Sequence, residues 1–501
     1  MMKNVKRVAA AWLLLVGFYG AAHGEDGLRE AAIQAMAKAT WFFRTEVATR
    51  GGYLWRYKSD LSMREGEGTA KPSMIWVQPP GTPAVGTAFL EAYEATADSV
   101  YLEAAQDAAR ALVWGQLASG GWDYAIDFDP KRSRRWYYRR DAEAGDMSQA
   151  ERRNRTTLDD NTTQSALRLL MRADKALNVE DEEIHQAAMY ALDALLKAQY
   201  PNGAWPQRYE TFPEPEQFPV KQARYPKSWS RTYPEKRYFM LYTFNDGAIL
   251  DVIETMIEAY HTYADERFLE AAKRGGRFLI LAQMPDPQPA WAQQYNVDME
   301  PAWARWFEPP AITGGESLGV MWTLMSLYLE TGEQRYLEPI PRALAWAERS
   351  VLPAGHLARF YELETNRPLY FTPDRRMTYD DDNLRPGYGF KVSSSRLKSV
   401  EAYYKQIQRQ GREAMLRQRR ERRDSKVTPK QVRAVIEALD VRGRWVENGT
   451  LRDPENREKR IKTRVISCRT FNRNLTLLAR YITCACATCG EANTGAGKGN
   501  N

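Results

Sequence analysis

Four segments of the chain place apolar residues three and four positions apart, the spacing that gives an α-helix one buried face. Their sequences are TAFLEAYEAT (87–96), QSALRLLMRADKAL (164–177), AILDVIETMIEAY (248–260) and VMWTLMSLYLET (320–331). Alternation with a period of two, the pattern of a half-buried strand, is sparse. The hydrophobic pattern therefore predicts an all-α protein.

A second set of similar sequences follows these segments and marks an internal repeat. They are YLEAA, IHQAA, FLEAA and YLEPI, which begin at residues 101, 184, 268 and 336. Gln116, Gln199 and Gln283 each stand fifteen residues after one of the first three starts, and the first two begin the pattern Q-x-x-x-G-x-W. Each repeat thus predicts a helical hairpin followed by a loop. Hairpins in series predict an α/α barrel, or toroid, with irregular loops that converge on a cleft.

The first 24 residues have the pattern of a secretory signal peptide. Lys3, Lys6 and Arg7 precede an apolar run of about 15 residues, and Ala22-His23-Gly24 offers small residues at the cleavage positions. The apolar run is too short to span a bilayer. We therefore expect a secreted or periplasmic protein without a membrane anchor.

The charge of the chain is unevenly distributed. The formal net charge is +7, but residues 401–501 alone carry 23 Lys and Arg against 11 Asp and Glu. We therefore expect a catalytic toroid over residues 25–405 and a basic segment, 406–482, packed on it. Its most basic stretch, GREAMLRQRRERRDSK (411–426), has no interleaved aromatic residues for stacking on bases, which argues against nucleic acid as a partner. A monomer is expected.

The last part of the chain, residues 483–501, is rich in Cys and Gly. Its C-x-C-x-x-C spacing, at Cys484, Cys486 and Cys489, fits a metal site, one or two disulfides, or a disordered tail. An oxidising compartment and the lack of a nearby His disfavour the metal. We therefore expect disulfides or a disordered tail, and favour disorder for the Gly-rich end.

Paired polar residues precede two of the predicted helices. Asp159-Asp160-Asn161 leads one repeat and Asn245-Asp246-Gly247 leads the next. One such residue is enough to cap a helix, so the doubled pairs leave three interpretations open. They are capping alone, Ca²⁺ binding by hard carboxylate oxygens, and acid–base catalysis on a glycosidic bond.

Two loops complete the candidate site, and the second of them is long, aromatic and rich in arginine. They are WAQQYNVDMEPAWARWFEPP (291–310) and LARFYELETNRPLYFTPDRRMTYDDDNLRPGYGF (357–390). Arginine binds carboxylates through two parallel hydrogen bonds, and aromatic rings provide faces for sugars. Together with the acidic pairs, these loops indicate an acidic polysaccharide as the partner.

These motifs, in this order, resemble the pectate lyases of polysaccharide lyase family ten. The resemblance is carried by TLDDNTT, LLKAQYPNGAWPQRY, YTFNDGAI, WAQQYN, EPAWARWFE, TGGESLG, LARFYELETNRPLYF, DRR and RPGYGF, with further similarity in ALDVRGRWVENG and VISCRTFNRNLTLLARYI. It spans roughly residues 27–482. It implies a helical toroid that cleaves polygalacturonate by β-elimination with Ca²⁺.

The resemblance also implies roles for individual residues. Asp160 and Asp246 match acidic positions associated with Ca²⁺, and Asn161 matches a residue that contacts substrate. Arg305 in PAWARWFE matches the arginine held to remove the C5 proton. Arg375 and Arg385 match arginines that hold uronate carboxylates.

Three features depart from the family pattern. The segment around Arg385 is shorter, residues 214–237 form an insert that is expected to remodel one side of the cleft, and Asn296 replaces an Asp. An arginine is also an unusual base, because its pKa is above about 12. The lyase interpretation therefore predicts activity at alkaline pH and its loss with a chelator.

Three other functions compete with the lyase. A glycosidase could use Asp160 and Asp246 as its carboxylate pair, although the arginine-rich loop then has no clear purpose. A triterpene cyclase shares the Q-x-x-x-G-x-W pattern but needs a D-x-D-D motif, and the nearest sequence, YDDDN at 379–383, lies in a predicted loop. A polysaccharide-binding protein without turnover is the third.

Overall fold

The structure is a computed structural model, and it describes residues 25–422, 427–456 and 459–492. The predicted signal peptide, residues 1–24, lies outside the described residues. The side chains of Cys484, Cys486 and Cys489 and residues 493–501 also lie outside them. Helix runs as far as Ala492, into the segment expected to be a tail, and the proposed disulfides stay a prediction.

The described residues form thirteen α-helices. The helices are α1 (Glu25–Phe42), α2 (Thr82–Thr96), α3 (Ser99–Trp114), α4 (Arg139–Glu143), α5 (Thr162–Ala176), α6 (Glu182–Ala198), α7 (Ala248–Tyr263), α8 (Glu266–Leu281), α9 (Gly314–Thr331), α10 (Ile340–Arg349), α11 (Ser394–Arg422), α12 (Pro429–Glu437) and α13 (Cys468–Ala492).

Strands of two to eight residues lie in the segments that connect the helices. The strands are β1 (Arg56–Lys58), β2 (Arg64–Glu65), β3 (Met74–Trp76), β4 (Ala125–Asp127), β5 (Thr156–Thr157), β6 (Arg208–Tyr209), β7 (Tyr242–Thr243), β8 (Gln294–Tyr295), β9 (Ala311–Thr313), β10 (His356–Ala358), β11 (Phe360–Glu362), β12 (Pro368–Phe371), β13 (Met377–Thr378), β14 (Lys391–Ser393), β15 (Val446–Arg452) and β16 (Arg460–Ser467).

The helices pack in two layers. In the inner layer, α13, α2, α5, α7, α9 and α11 follow one another, each against the next. In the outer layer, α1, α3, α6, α8 and α10 pack on α13, α2, α5, α7 and α9 respectively. This is the α/α toroid of helical hairpins that the hydrophobic pattern predicts, and the fold prediction is confirmed.

The turn that joins the two helices of a hairpin also recurs from one hairpin to the next. Asp98, Asp181 and Asp265 precede α3, α6 and α8, and each side chain accepts a hydrogen bond from a backbone N–H of the first helical turn. Satisfying such an N–H group stabilises a helix start by about 1 kcal/mol. Each hairpin thus turns at a defined residue.

The repeated glutamines join neighbouring hairpins. The side-chain amide of Gln199 donates to the backbone oxygens of Gly203 (3.0 Å), in its own loop, and Ala271 (2.9 Å), in the outer helix of the next hairpin. Gln116 makes the same two bonds to Gly120 and Ala187, and Gln283 bonds Pro289 and Pro339.

The rest of the Q-x-x-x-G-x-W pattern folds the loop back onto its helix. The indole N–H of Trp205 donates to the backbone oxygen of Leu195 (2.8 Å), inside the preceding helix. Gly203 has a φ of +95°, and a Cβ there would lie 2.0 Å from the backbone oxygen of Arg274. The motif therefore holds the loop to its own helix and to the next hairpin. This structural role accounts for the pattern shared with the triterpene cyclases and involves no catalytic residue.

The C-terminal segment is part of the toroid. The boundary expected at residue 405 falls within α11. In the inner layer α13 packs against α2, and α1 of the outer layer packs on α13. Strand β16 pairs with β1, in a sheet of order β15-β16-β1-β2. Within the described residues, no helix is long and apolar enough to cross a membrane.

We predict that Gln199→Ala lowers the free energy of unfolding by about 2 kcal/mol, because two buried backbone oxygens lose their donor. Urea unfolding measures this change. Gln186→Ala is the matched control, since that exposed amide donates to Glu182 on its own helix and to no backbone oxygen of another hairpin among the described residues. Equal effects of the two substitutions would contradict the role assigned to the repeated glutamine.

Candidate active site

Two inner helices begin with the same strained turn. Asp160 and Asn161 precede α5 with φ angles of 52° and 56°, and Asp246 and Gly247 precede α7 with φ angles of 48° and 75°. Left-handed backbone is unfavourable for residues other than glycine, and it is least so for Asp and Asn. The two turns present equivalent side chains at the same end of the toroid.

Three carboxylates meet at these turns. Asp159, Asp160 and Asp246 each contribute an oxygen, and these atoms all lie within 4.8 Å of one another. Asp160 and Asp246 are therefore brought together as predicted. Asp159 is a third member to which the sequence assigned no ligand role.

Asp159 is held in place by three neighbours. Its carboxylate accepts hydrogen bonds from the hydroxyl of Tyr124 (2.7 Å), the amide of Gln207 (2.9 Å) and the guanidinium of Arg208 (3.2 Å). Arg208 belongs to β6, which pairs with β5 just before the acidic turn. Asp159 thus has its charge compensated by the protein.

Asp160 and Asp246 accept no hydrogen bond from a cationic side chain in the described part of the chain, although the charge of Arg305 acts on both. Removal from water, together with the charge of Asp159, raises the pKa of Asp160 to about 7 and that of Asp246 to about 6. Asp246 accepts a hydrogen bond from the side chain of Asn245 (2.7 Å). Repulsion among the three carboxylates leaves a strongly negative point that favours a cation.

Asn161, the predicted substrate-binding residue, directly follows Asp160. Its side-chain oxygen is buried and has no hydrogen-bond partner in the described part of the chain. An unpartnered buried oxygen costs free energy, so this atom is available for a ligand. Its role stays a prediction.

Arg305, the predicted base, forms an ion pair with Glu308. Its guanidinium donates two hydrogen bonds to the Glu308 carboxylate, at 2.7 and 2.5 Å, and the hydroxyl of Tyr388 donates a third at 2.9 Å. Burial alone would lower the pKa of Arg305, but the hydrogen bonds and charge of Glu308 raise it above the ordinary value. Arg305 is therefore held in its protonated form in this structure.

Arg375 and Arg385 lie beside the same aromatic group. The guanidinium of Arg385 is 4.0 Å from the ring centre of Phe307, and that of Arg375 is 5.4 Å from the ring centre of Trp306. Arg305 lies 4.9 Å from Phe307. The structure thus brings the three predicted arginines together.

Arg359 is a fourth arginine at the site. It belongs to the arginine-rich loop 357–390, but the sequence assigned it no individual role. Its guanidinium donates to Glu316 (2.6 Å) and to the side-chain oxygen of Asn245 (3.3 Å), next to Asp246. Its position just before β11, which pairs with β9, brings it to the acidic turns. Only the tertiary pairing of these strands reveals this placement.

The insert, residues 214–237, lies against one side of the site. Arg231 pairs with Glu362, and the indole N–H of Trp303 donates to the backbone oxygen of Ser230 (2.9 Å). Tyr233 packs edge-on against Trp303, two residues before Arg305. The side-chain oxygen of Asn296, the other departure, accepts hydrogen bonds from two backbone N–H groups in a turn.

Comparison with known proteins indicates the enzyme class of the chain. Residues 116–357 match the family model described as pectic acid lyase. This match confirms the predicted resemblance and identifies the chain as a polysaccharide lyase. The matched residues, 242 of 501, begin at the first repeated glutamine and include both acidic turns, Arg305 and Glu308.

Solved structures with similar folds come from several enzyme classes. A family 10 polysaccharide lyase from Cellvibrio cellulosa, a mutant in complex with trigalaturonic acid, is 20% identical, with a TM-score of 0.44 over 66% of this chain and 98% of that one. A cellobiose 2-epimerase from Bacillus thermoamylovorans is 12% identical, with a TM-score of 0.45 over 92% and 99%.

A third similar structure is a GH76 α-mannanase from Bacteroides thetaiotaomicron. It is 11% identical, with a TM-score of 0.39 over 94% of this chain and 98% of that one. No curated protein matches the sequence.

Proposed function

We propose that this polysaccharide lyase is a secreted pectate lyase that cleaves polygalacturonate by Ca²⁺-dependent β-elimination. The observation that carries the proposal is the arrangement of opposite charges within the pectic acid lyase match. Three carboxylates lie within 4.8 Å of one another, and Arg305 is close enough for its charge to lower the pKa of both Asp160 and Asp246.

The acidic cluster fits Ca²⁺. Calcium prefers hard oxygen ligands, and carboxylates are among its usual protein ligands. Asp160 and Asp246 would hold the ion, because Asp159 already accepts hydrogen bonds at both of its oxygens. When bound, the ion supplies positive charge that stabilises a uronate carboxylate as charge develops on it.

The arginines fit the substrate. A polygalacturonate chain carries a carboxylate on each sugar, and guanidinium groups bind carboxylates through paired hydrogen bonds. Arg375 and Arg385 would hold these groups beside the aromatic faces of Trp306 and Phe307. A neutral sugar would leave these charges unpaired, which favours an acidic polymer over the substrates of the glycosidase alternative.

The reaction needs a base for the C5 proton. Its removal leaves an electron pair that forms the C4–C5 double bond as the C4–O bond breaks, and the departing oxygen then takes a proton from water. Arg305 can accept the C5 proton only as a neutral guanidine. The structure adds a condition, because the ion pair with Glu308 must loosen before Arg305 can lose its own proton.

Calcium dependence is tested on the carboxylates. EDTA is expected to abolish formation of unsaturated product, and Asp160→Asn or Asp246→Asn is expected to raise the Ca²⁺ concentration required about tenfold or more, because an amide is a weaker ligand than a carboxylate. Calorimetric titration with Ca²⁺ gives a second readout, independent of turnover. The exposed Asp382→Asn is the control. Full activity in EDTA would reject the metal.

The role of Arg305 is tested through its partner. Glu308→Gln removes the charge that raises the pKa of Arg305 while burial still lowers it, so that pKa falls. If Arg305 is the base, the rise of kcat with pH moves to lower pH by about one unit or more. The matched control is Glu300→Gln. Glu300 lies on the same loop as Glu308, and its ion pair is with Arg224 in the insert.

An unchanged pH profile in Glu308→Gln would contradict the base. A fall in kcat without a shift along the pH axis would do the same, since it would show that Arg305 acts through its positive charge. Either result leaves the lyase assignment intact, because the unsaturated product is still formed.

A further inference from the structure

A cavity lined by arginines lies apart from the acidic cluster. A cavity of about 340 Å³ is bounded by Arg50, by Trp114 at the end of α3, and by the loop from Phe128 to Arg152. Four arginines line it: Arg50, Arg134, Arg140 and Arg152. This volume lies at the lower end of the range of small-molecule sites, about 300–1,000 Å³. We call it the arginine pocket.

The positive charge of the arginine pocket exceeds its negative charge. Its carboxylates, Asp141 and Asp146, both bind Arg152, at 2.8 and 2.5 Å. Arg140 is 3.7 Å from Asp141, a distance at the limit of an ion pair. Arg50 and Arg134 have no carboxylate partner among the residues that the structure describes. Positive charge is thus left over for a ligand.

The arginines are close enough to repel one another. Burial lowers the pKa of Arg140, and the charges of Arg50 and Arg152 lower it further. The guanidinium of Arg140 lies 3.6 Å from the ring centre of Trp114, and that of Arg50 lies 5.3 Å from that of Phe128. Aromatic rings therefore hold like charges in a cluster that an anion would stabilise.

The arginine pocket is connected to the acidic cluster by one ribbon. Strands β3 and β4 pair from Trp76 and Ala125 to Met74 and Asp127. Tyr124, just before β4, bonds Asp159, while Phe128, just after it, lines the cavity. Four residues of extended chain span about 13 Å. The pocket thus lies a few sugar units from the reacting bond.

We propose that the arginine pocket binds a uronate unit of the polysaccharide chain whose cleavage occurs at the acidic cluster. The guanidinium groups bind the carboxylate, and the apolar walls at Phe128 and Pro130 contact the sugar ring. The inference takes its substrate class from the proposed function. It adds a binding site that tethers a long polymer.

The test is the double substitution Arg50→Ala/Arg134→Ala, with Arg135→Ala as the matched control. Arg135 is an exposed arginine on the same loop, and its guanidinium lies over Trp136 without lining the cavity. Affinity for polygalacturonate is measured by calorimetry in EDTA, and kcat and KM are measured with Ca²⁺. We expect about fivefold weaker binding and a similar rise in KM in the double variant, with most of the effect in KM.

Three results would overturn the inference. They are an unchanged affinity and KM in the double variant, an equal loss in Arg135→Ala, and full displacement of the polymer by sulfate at matched ionic strength, which would show a general anion site. If the wild type binds the polymer through these arginines but forms no unsaturated product, the proposed function fails and the inference stands. If turnover is normal and KM does not respond, the inference alone fails.

Discussion

Repulsion among three carboxylates at one end of the toroid is the constraint on which the site depends. Carboxylate oxygens of Asp159, Asp160 and Asp246 lie within 4.8 Å of one another, so their negative charges repel. Tyr124 and Arg208 donate hydrogen bonds to Asp159, whereas Arg305 acts on Asp160 and Asp246 through its charge alone. Such an arrangement stores electrostatic free energy that a cation and an acidic substrate can release.

The fold supplies the rigidity that this repulsion demands. The acidic turns sit at the starts of α5 and α7, and these inner helices pack against each other. Gln116, Gln199 and Gln283 join each hairpin to the next through hydrogen bonds that are buried for the first two and partly buried for Gln283. Opening the cluster would require neighbouring hairpins to separate. The repeat is therefore a structural support for the site and carries no chemistry itself.

Local patterns in the sequence predicted the fold well. The spacing of apolar residues and the repeated Gln and Trp report local helix geometry, and they indicated the hairpins correctly. The place of α13 in the inner layer could not be predicted in this way. It depends on pairing between β1 and β16, which lie near opposite ends of the chain, and no local period reveals such a contact.

The same distinction holds for the site. Asp160 and Asp246 were found because they recur at equivalent positions, and Arg305 was found through the family resemblance. Glu308 lies three residues after Arg305 in the same candidate loop, but its ion pair with Arg305 was not predicted, because the pair depends on the direction of both side chains. Arg359 and Tyr124 reach the acidic cluster only through strand pairing. The sequence alone therefore did not predict which side chains from distant segments meet at the site.

We propose that Arg305 is the base of an elimination reaction at this site. The most direct measurement compares the wild type with Arg305→Ala on polygalacturonate in the presence of Ca²⁺, following both unsaturated product and polymer binding. We expect unsaturated product from the wild type and a loss of turnover of about 10²-fold or more in the variant, with binding largely retained. New reducing ends without unsaturation would contradict elimination, and full turnover by Arg305→Ala would contradict the role of Arg305 as the base.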